Sequence, residues 1–326
     1  MPLGQPAVLP IQERFAQYGI DFAQEASVFA ADFAMPYAFA PKTSGWYPVP
    51  DARNWLHAED ATWSREQGAT RVVSQYDKDT FLAKPYGLEE IVSDLDANDW
   101  PGGPADMGRE TMSSVGQRVL VAREVRIEAK IDAATFGTTA VTGTGIWDST
   151  AANPRLDVKK ANTAIRKKIG RAGNSIILPL AVADVITGSQ AAGTAGAAVL
   201  DAIKYTGAGG LQEITETLLA QYWRLARVKF AEAIQQDTTK PVTRAVVVGL
   251  PEAGVAIWDQ KEAYVFFNGT PGSRLPNFAS SFGPDLYTPD DYYDPKPKGR
   301  VYRVVQVLDE KIVCNAAMNV LTTVIT

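Results

Sequence analysis

The stretch 108–134 (GRETMSSVGQRVLVAREVRIEAKIDAA) constrains the fold more than any other part of the chain. It contains no proline, and Gly116 is its only internal glycine. Met112, Val115, Val119, Ala122, Val125, Ala129 and Ala133 recur at spacings of three and four, which is one face of a helix. Leu120, Ile127 and Ile131 make a second, offset apolar stripe, and charged residues fill the remainder. At ~1.5 Å rise per residue the predicted helix is about 40 Å long. A rod of that length needs an equally long surface to lie across. The core of a large α/β enzyme is one such setting.

With 326 residues, 46% of them hydrophobic, the chain can bury a core in one or two domains. The net charge of −5 argues against a monomer that grips DNA directly, which would be basic. Cys314 is the single cysteine, so no internal disulfide forms, as expected of a chain folded in a reducing cytoplasm. The first residues lack the basic and apolar regions of a secretion signal. No apolar run approaches the ~18 residues of a membrane span.

Pro2, Pro6 and Pro10 make the start an extended arm. Residues 11–34 are rich in alanine and phenylalanine at spacings that permit helix, interrupted by Gly19 and ended by Pro36. Such an arm packs either on a neighbouring chain or over its own core. Residues 45–86 carry Trp46, Trp55 and Trp63 among many charges, and from Arg71 onward the charges fall on both alternating faces. A half-buried strand keeps one face apolar. The pattern therefore predicts a long β-hairpin that leaves the body, with aromatic anchors for another surface. A lone two-stranded ribbon is marginally stable, so a partner must support it. The competing reading is a pair of edge strands with a long loop.

A short acidic helix is predicted over 88–99, and a glycine-rich loop anchored by Trp147 over 137–153. Asn153-Pro154 starts a helix over 156–169, closed by Gly170, with Asp157 first and Arg166, Lys167 and Lys168 last, as the helix dipole favours. Between 174 and 258 short apolar strands alternate with helical segments, which reads as an α/β domain. Residues 269–299, dense in proline, glycine and aspartate, read as a long irregular excursion. A terminal hairpin with its turn at 309–311 is expected to complete the sheet under the long helix.

Chemistry is sparse. His57 is the only histidine, and one His with one Cys supplies neither a zinc set nor a nucleophilic pair. Gly207-Ala208-Gly209-Gly210 lacks the lysine and hydroxyl of a phosphate loop. Asp285, Asp290, Asp291 and Asp294 lack calcium-loop spacing and read as a solvated loop. Glu124 and Glu128, flanked by Arg123, Arg126 and Lys130, read as surface ion pairs. Asn268-Gly269-Thr270 is a sequon with no role in a chain that is not secreted, and Cys314 reads as buried. No catalytic, cofactor-binding or metal site is expected.

The order of elements nevertheless resembles the major capsid protein of tailed bacteriophages, the Hong Kong 97-like fold. The residues that carry the resemblance are the hairpin ending in AKPYGLEEIVSD, the helix MSSVGQRVLVAREVRIEA, the junction WDSTAANPRLDVKKA, the segment NSIILPLAVADVI and the closing VYRVVQVLDEKIVCNAA. The resemblance implies an α+β fold with an N-terminal arm (1–44) and an extended loop (45–86). It implies a peripheral domain (87–155 and 300–326) with a spine helix (108–134), and an α/β axial domain (156–299). It further implies a structural protein, not an enzyme and without cofactors, whose hexamers and pentamers tile an icosahedral shell around double-stranded DNA. Its partners would be copies of itself, packaged DNA held without sequence specificity, and separate scaffolding, portal and decoration proteins. Its place would be the virion, after synthesis in the cytoplasm of a bacterial host. The inter-subunit contact candidates are Phe15, Phe22, Trp46, Trp55, Trp63, Tyr76 and Phe81, with the ribbon lying over an adjacent subunit and the arm crossing under another.

Two departures from the family pattern stand out. Only about forty residues precede the hairpin, so either a separate scaffolding protein assists assembly or a leader has been removed. Lys78 and Lys84 lie in the hairpin, but no partner asparagine or catalytic glutamate marks the isopeptide crosslink of some members. An encapsulin-type nanocompartment shell shares the fold, and a metabolic α/β enzyme is the remaining alternative.

Overall fold

The computed structural model describes residues 28–49, 56, 63–64, 68–69, 77–142, 146–149, 152–188, 214–236, 254–269, 277–296 and 298–326. The first half runs α1 (Ala31–Ala34), β1 (Tyr37–Phe39), β2 (Ser44–Val49), β3 (Trp63–Ser64), β4 (Gly68–Ala69), β5 (Asp77–Leu82), β6 (Lys84–Ser93), α2 (Asp94–Asp99) and α3 (Gly103–Asp132). Then come β7 (Gly137–Ala140), α4 (Pro154–Ile169), β8 (Ser175–Pro179), α5 (Leu180–Gly188), α6 (Glu216–Trp223) and β9 (Arg227–Ala231). The chain closes with β10 (Ile234–Gln236), β11 (Gly254–Ala256), β12 (Ala263–Phe266), β13 (Ala279–Asp294), β14 (Gly299–Ile312) and β15 (Met318–Thr322).

Two sheets organise the described residues. One has the order β1-β13-β14-β6, and α3 lies across β14 and β6. The other has the order β7-β15-β12-β8-β9, with α4 packed against it. The long helix exists and starts earlier than its periodicity suggests. Pro104 stands in its first turn, where a missing N–H costs no hydrogen bond. Its 30 residues span about 45 Å.

The helix over 154–169 forms with the caps its sequence announces. The Asn153 side chain accepts the Leu156 N–H, and Gly170 closes the last turn at φ 76°, a left-handed conformation that glycine adopts without a Cβ penalty. Trp147 anchors the preceding loop as expected. It is fully buried, donates its backbone N–H to the Val324 carbonyl, and donates its indole N–H to Asp157 at 3.3 Å.

Four expectations give way to long-range pairing. Residues 84–93 form a strand and not the start of an acidic helix, because β14 supplies a ten-residue antiparallel partner; only Asp94–Asp99 is helical, capped by the Ser93 hydroxyl. The supposed irregular excursion contains β13, a 16-residue strand in which Pro284 falls within the register shifts between Phe282 and Thr288, while Pro289 keeps regular register opposite Val304. Gly283 sits at one shift, where a Cβ would run into the Val307 carbonyl.

No turn occurs at 309–311. β14 runs through it because Glu310 is neutralised from above by Arg126 and Lys130 of α3, both at 3.1 Å, while Asp309 on the opposite face accepts the Leu82 N–H. The terminal hairpin is therefore absent, and β14 and β15 belong to different sheets. The pairing also cuts across the division between 156–299 and 300–326. β13 pairs along its length with β14, whereas β15 inserts between β7 and β12.

Candidate functional site

The ribbon is built from β2 and β5, paired antiparallel from Ser44 opposite Leu82 to Val49 opposite Asp77. On β5 every residue but Phe81 is exposed, as its two-faced charge pattern predicts. β3 and β4 pair as a second short antiparallel unit, Trp63 opposite Ala69 and Ser64 opposite Gly68.

At the base of the ribbon three aromatics join it to the body. Tyr47 stacks on Phe282 at a ring separation of 4.8 Å, and Phe81 stacks on the same ring at 5.3 Å. The Tyr47 hydroxyl donates to Asp79 at 2.5 Å. Burial together with that neighbouring carboxylate pushes the Tyr47 hydroxyl well above the usual phenol range, and the same bond holds Asp79 below the ordinary carboxylate value.

Beside this cluster lies an open cleft of about 520 Å³. Phe39, Tyr47, Trp46, Phe81 and Phe282 contribute to its wall, with the Ala40-Pro41-Lys42 bend at its edge. Three large apolar side chains near the base face outward: Trp46 is 60% exposed, Leu82 59% and Phe39 49%. Lys78 places its ammonium 4.6 Å from the Trp46 ring, a cation–π contact that orients the indole. Such a concentration of apolar surface beside a projecting ribbon suits a protein contact.

The sequence candidates fall into three groups. Trp46 is exposed. Phe81 is turned inward and fastens the ribbon to its own chain, because the stacked Phe282 ring offers it a partner. Phe15, Phe22, Trp55 and Tyr76 lie outside the described residues, as do His57 and 207–210; for Trp63 the backbone alone, in β3, is described. Phe39, the last residue of β1, and Leu82, the last residue of β5, are not among the sequence candidates; strands this short give apolar alternation too few positions to register.

A second constellation lies at the middle of α3, and here the expectation of surface ion pairs is overturned. Arg123 and Glu124 are both fully buried. Glu124 accepts the Ala30 N–H at 2.9 Å, the Ala31 N–H at 2.8 Å and the Trp258 indole N–H at 2.5 Å. Arg123 pairs with Asp32 and donates to the Tyr287 hydroxyl at 2.9 Å, the Ser281 hydroxyl at 3.2 Å and the Met35 carbonyl.

Burial opposes the charge on Arg123, but Asp32 and Tyr287 outweigh it and keep the guanidinium firmly protonated. Burial pushes Glu124 above the ordinary carboxylate value, against the pull of its three donors and of Arg123. The adjacent pair thus ties residues 30–35, β13 and Trp258 to one turn of α3. Glu128, half-buried one turn further on, is also raised, by burial and then by Asp132, Asp259 and Glu262.

The remaining sequence candidates have structural roles. Asp290 and Asp291 pair with Arg303 and Arg300 across the β13–β14 ribbon, so that acidic run is a paired strand and not a solvated loop. Asn268 is buried and donates to the Phe33 and Ala34 carbonyls. Cys314 follows β14, largely buried, and burial raises its thiol pKa. Among the described residues no group of three or more His, Cys, Asp and Glu is arranged to hold a metal, and no helix is long and apolar enough to cross a membrane.

No family model matches the chain, and no curated protein matches it. Its fold does match solved structures along nearly its whole length. A phage-related protein from Bordetella bronchiseptica superposes with a TM-score of 0.64 at 18% identity, covering 97% of each chain. The capsid of a native GTA particle gives 0.53 at 10% identity, covering 94% of this chain and 93% of that one. The capsid of the cyanophage P-SCSP1u gives 0.50 at 9% identity, covering 93% and 91%. At these identities the likeness concerns the fold: a mixed α+β fold shared with capsid proteins.

Proposed function

We propose that this chain is a major capsid protein, a structural subunit that self-assembles into hexamers and pentamers of an icosahedral shell around double-stranded DNA. The single observation that carries the reading is the match of the fold to capsid proteins over more than nine-tenths of the chain.

In Hong Kong 97-like terms, α3 with β6, β13 and β14 would be the peripheral part with its spine helix. The sheet of β7, β15, β12, β8 and β9 with α4 would be the axial part, meeting at capsomer centres. The β2–β5 ribbon would reach over the adjacent subunit and present Trp46, with Trp55 and Trp63 as further anchors. Many modest contacts repeated over a closed shell give avidity without one tight site. The net charge of −5 suits a lining along which packaged DNA slides without sticking. Separate scaffolding, portal and decoration proteins complete the proposed partners, and the virion is the proposed location.

Trp46 is the residue on which to test this. It is exposed and outside the core, so Trp46→Ala should leave the melting temperature of the subunit unchanged. A buried aromatic anchor contributes about 2 kcal/mol or more per contact, so the concentration needed for particle formation should rise at least ~10-fold. Negative-stain microscopy and light scattering across a concentration series read the result. Normal particles at the original concentration would remove Trp46 from the proposed contact, and a wild-type chain that stays monomeric beside its scaffolding partner would overturn the shell reading.

A further inference from the structure

A cleft of about 500 Å³ lies between α4 and the end of α6. We propose that it binds a chain of phosphate groups, the chemistry shared by free oligophosphates and nucleic-acid backbones.

The first argument is charge. Arg155, Lys159, Arg166 and Arg224 line the cleft, and no acidic side chain among the described residues lines it with them. The acids of the two helices are engaged elsewhere, Asp157 with Lys160 at 3.0 Å and Glu216 with Lys229 at 3.4 Å. The chain as a whole carries a net charge of −5, yet α4 sets Arg155, Lys159, Lys160, Arg166, Lys167 and Lys168 against the single acid Asp157. Cations gathered without counter-charges draw an anion from outside.

The second is placement. Arg166, in the last turn of α4, suits the helix dipole, but Arg155 stands in the first turn, where the dipole disfavours a cation. The Tyr222 ring, 5.7 Å from the Arg155 guanidinium, steadies it without neutralising it. Arg224 follows α6 at φ 56°, a left-handed conformation that is costly for a residue with a Cβ. Helix stability alone favours neither choice, and a bound anion offsets both.

The third is an unused donor. Trp223 lines the cleft and is buried, and its indole N–H has no acceptor among the described residues. Buried donors are nearly always satisfied, and a ligand oxygen against this wall would accept the bond. The fourth is extent. Arg155, Lys159 and Arg166 recur at spacings of four and seven, on one helix face. They cover about 16 Å of helix, so several joined phosphates suit the row better than a lone oxyanion.

This site goes beyond the shell reading and does not rest on it, because every group named belongs to one subunit.

The test titrates sodium tripolyphosphate into the full-length, unassembled subunit at low ionic strength, by isothermal calorimetry. Wild type should bind it at least ~10-fold more tightly than sulfate, because several charges are engaged at once. Lys159→Ala combined with Arg166→Ala, both exposed, should weaken binding at least ~10-fold while the melting temperature stays unchanged. Lys167→Ala combined with Lys168→Ala removes the same charge from the same helix outside the cleft, and should weaken binding less than ~3-fold. No binding by wild type, equal loss in the two double variants, or sulfate held as tightly as tripolyphosphate overturns the proposal. Unphosphorylated oligothymidylate separates the two sources, and either result supports the site. Competition at equal phosphate concentration identifies a nucleic-acid backbone, and lack of competition identifies a free oligophosphate.

Discussion

Arg123 and Glu124 are the residues whose chemistry is least visible from their neighbours in sequence. Glu124 has every oxygen engaged by N–H donors, so Glu124→Gln must turn an amide N–H toward one of them. The expected loss is about 1–3 kcal/mol in urea unfolding, and Glu124→Ala, which leaves three donors without an acceptor, should cost more. A loss within error for both variants would mean that the clamp does not hold the N-terminal segment.

Glu128 gives the opposite prediction. Its pKa and that of Glu262 are raised in the fold, by burial and by mutual carboxylate repulsion with Asp132 and Asp259. At these two sites the folded state binds protons more tightly than the unfolded one, so their contribution to stability is most favourable at acid pH and declines as pH climbs through the raised values. Glu128→Gln should therefore stabilise the protein at pH 7–8 by about 0.5 kcal/mol, a figure kept small by solvent screening of a half-exposed group. The gain should vanish near pH 4. Equal gain at both pH values, in thermal melts, would contradict this origin.

At the scale of elements, the apolar stripe of α3 repays close comparison. Its buried line runs Met112, Val115, Val119, Leu120, Arg123, Glu124, Ile127 and Ile131. The period is unbroken, but two of its members are charged. Periodicity read from apolar residues alone steps sideways at that turn, onto Ala122, Val125 and Ala129, which are exposed or partly so. The sequence therefore reported the helix correctly and misplaced its inner face at mid-length.

β13 shows the converse. Its prolines and glycine argue against a strand locally, yet β14 pairs with it over most of its length, and bulges take up the mismatch. Gly283→Ala should destabilise by about 2–3 kcal/mol, because the added methyl must displace the Val307 backbone of the partner strand. Denaturant titration with an unchanged slope and a lowered midpoint is the expected record.

At the scale of the molecule, the two sheets share one hydrophobic cluster, and the Arg123–Glu124 clamp crosses it. The subunit should therefore unfold as one unit: tryptophan fluorescence and far-ultraviolet circular dichroism should trace a single coincident transition. Separate midpoints would show that the sheets are independent.

By itself the sequence determined the long helix, the capped helix over 154–169, the Trp147 anchor and a ribbon too charged to be half-buried. The sequence signals for those features lie in residues within a few positions of one another. Only the tertiary structure decided that Phe81 faces inward, that β14 and β15 part company, and that Arg123 and Glu124 lie in the core. In each case the deciding partner stands far away in the chain, as Trp258 and Ala30 do from Glu124. A hydrogen-bond donor supplied from that distance removes the penalty that local composition alone would assign to a buried charge.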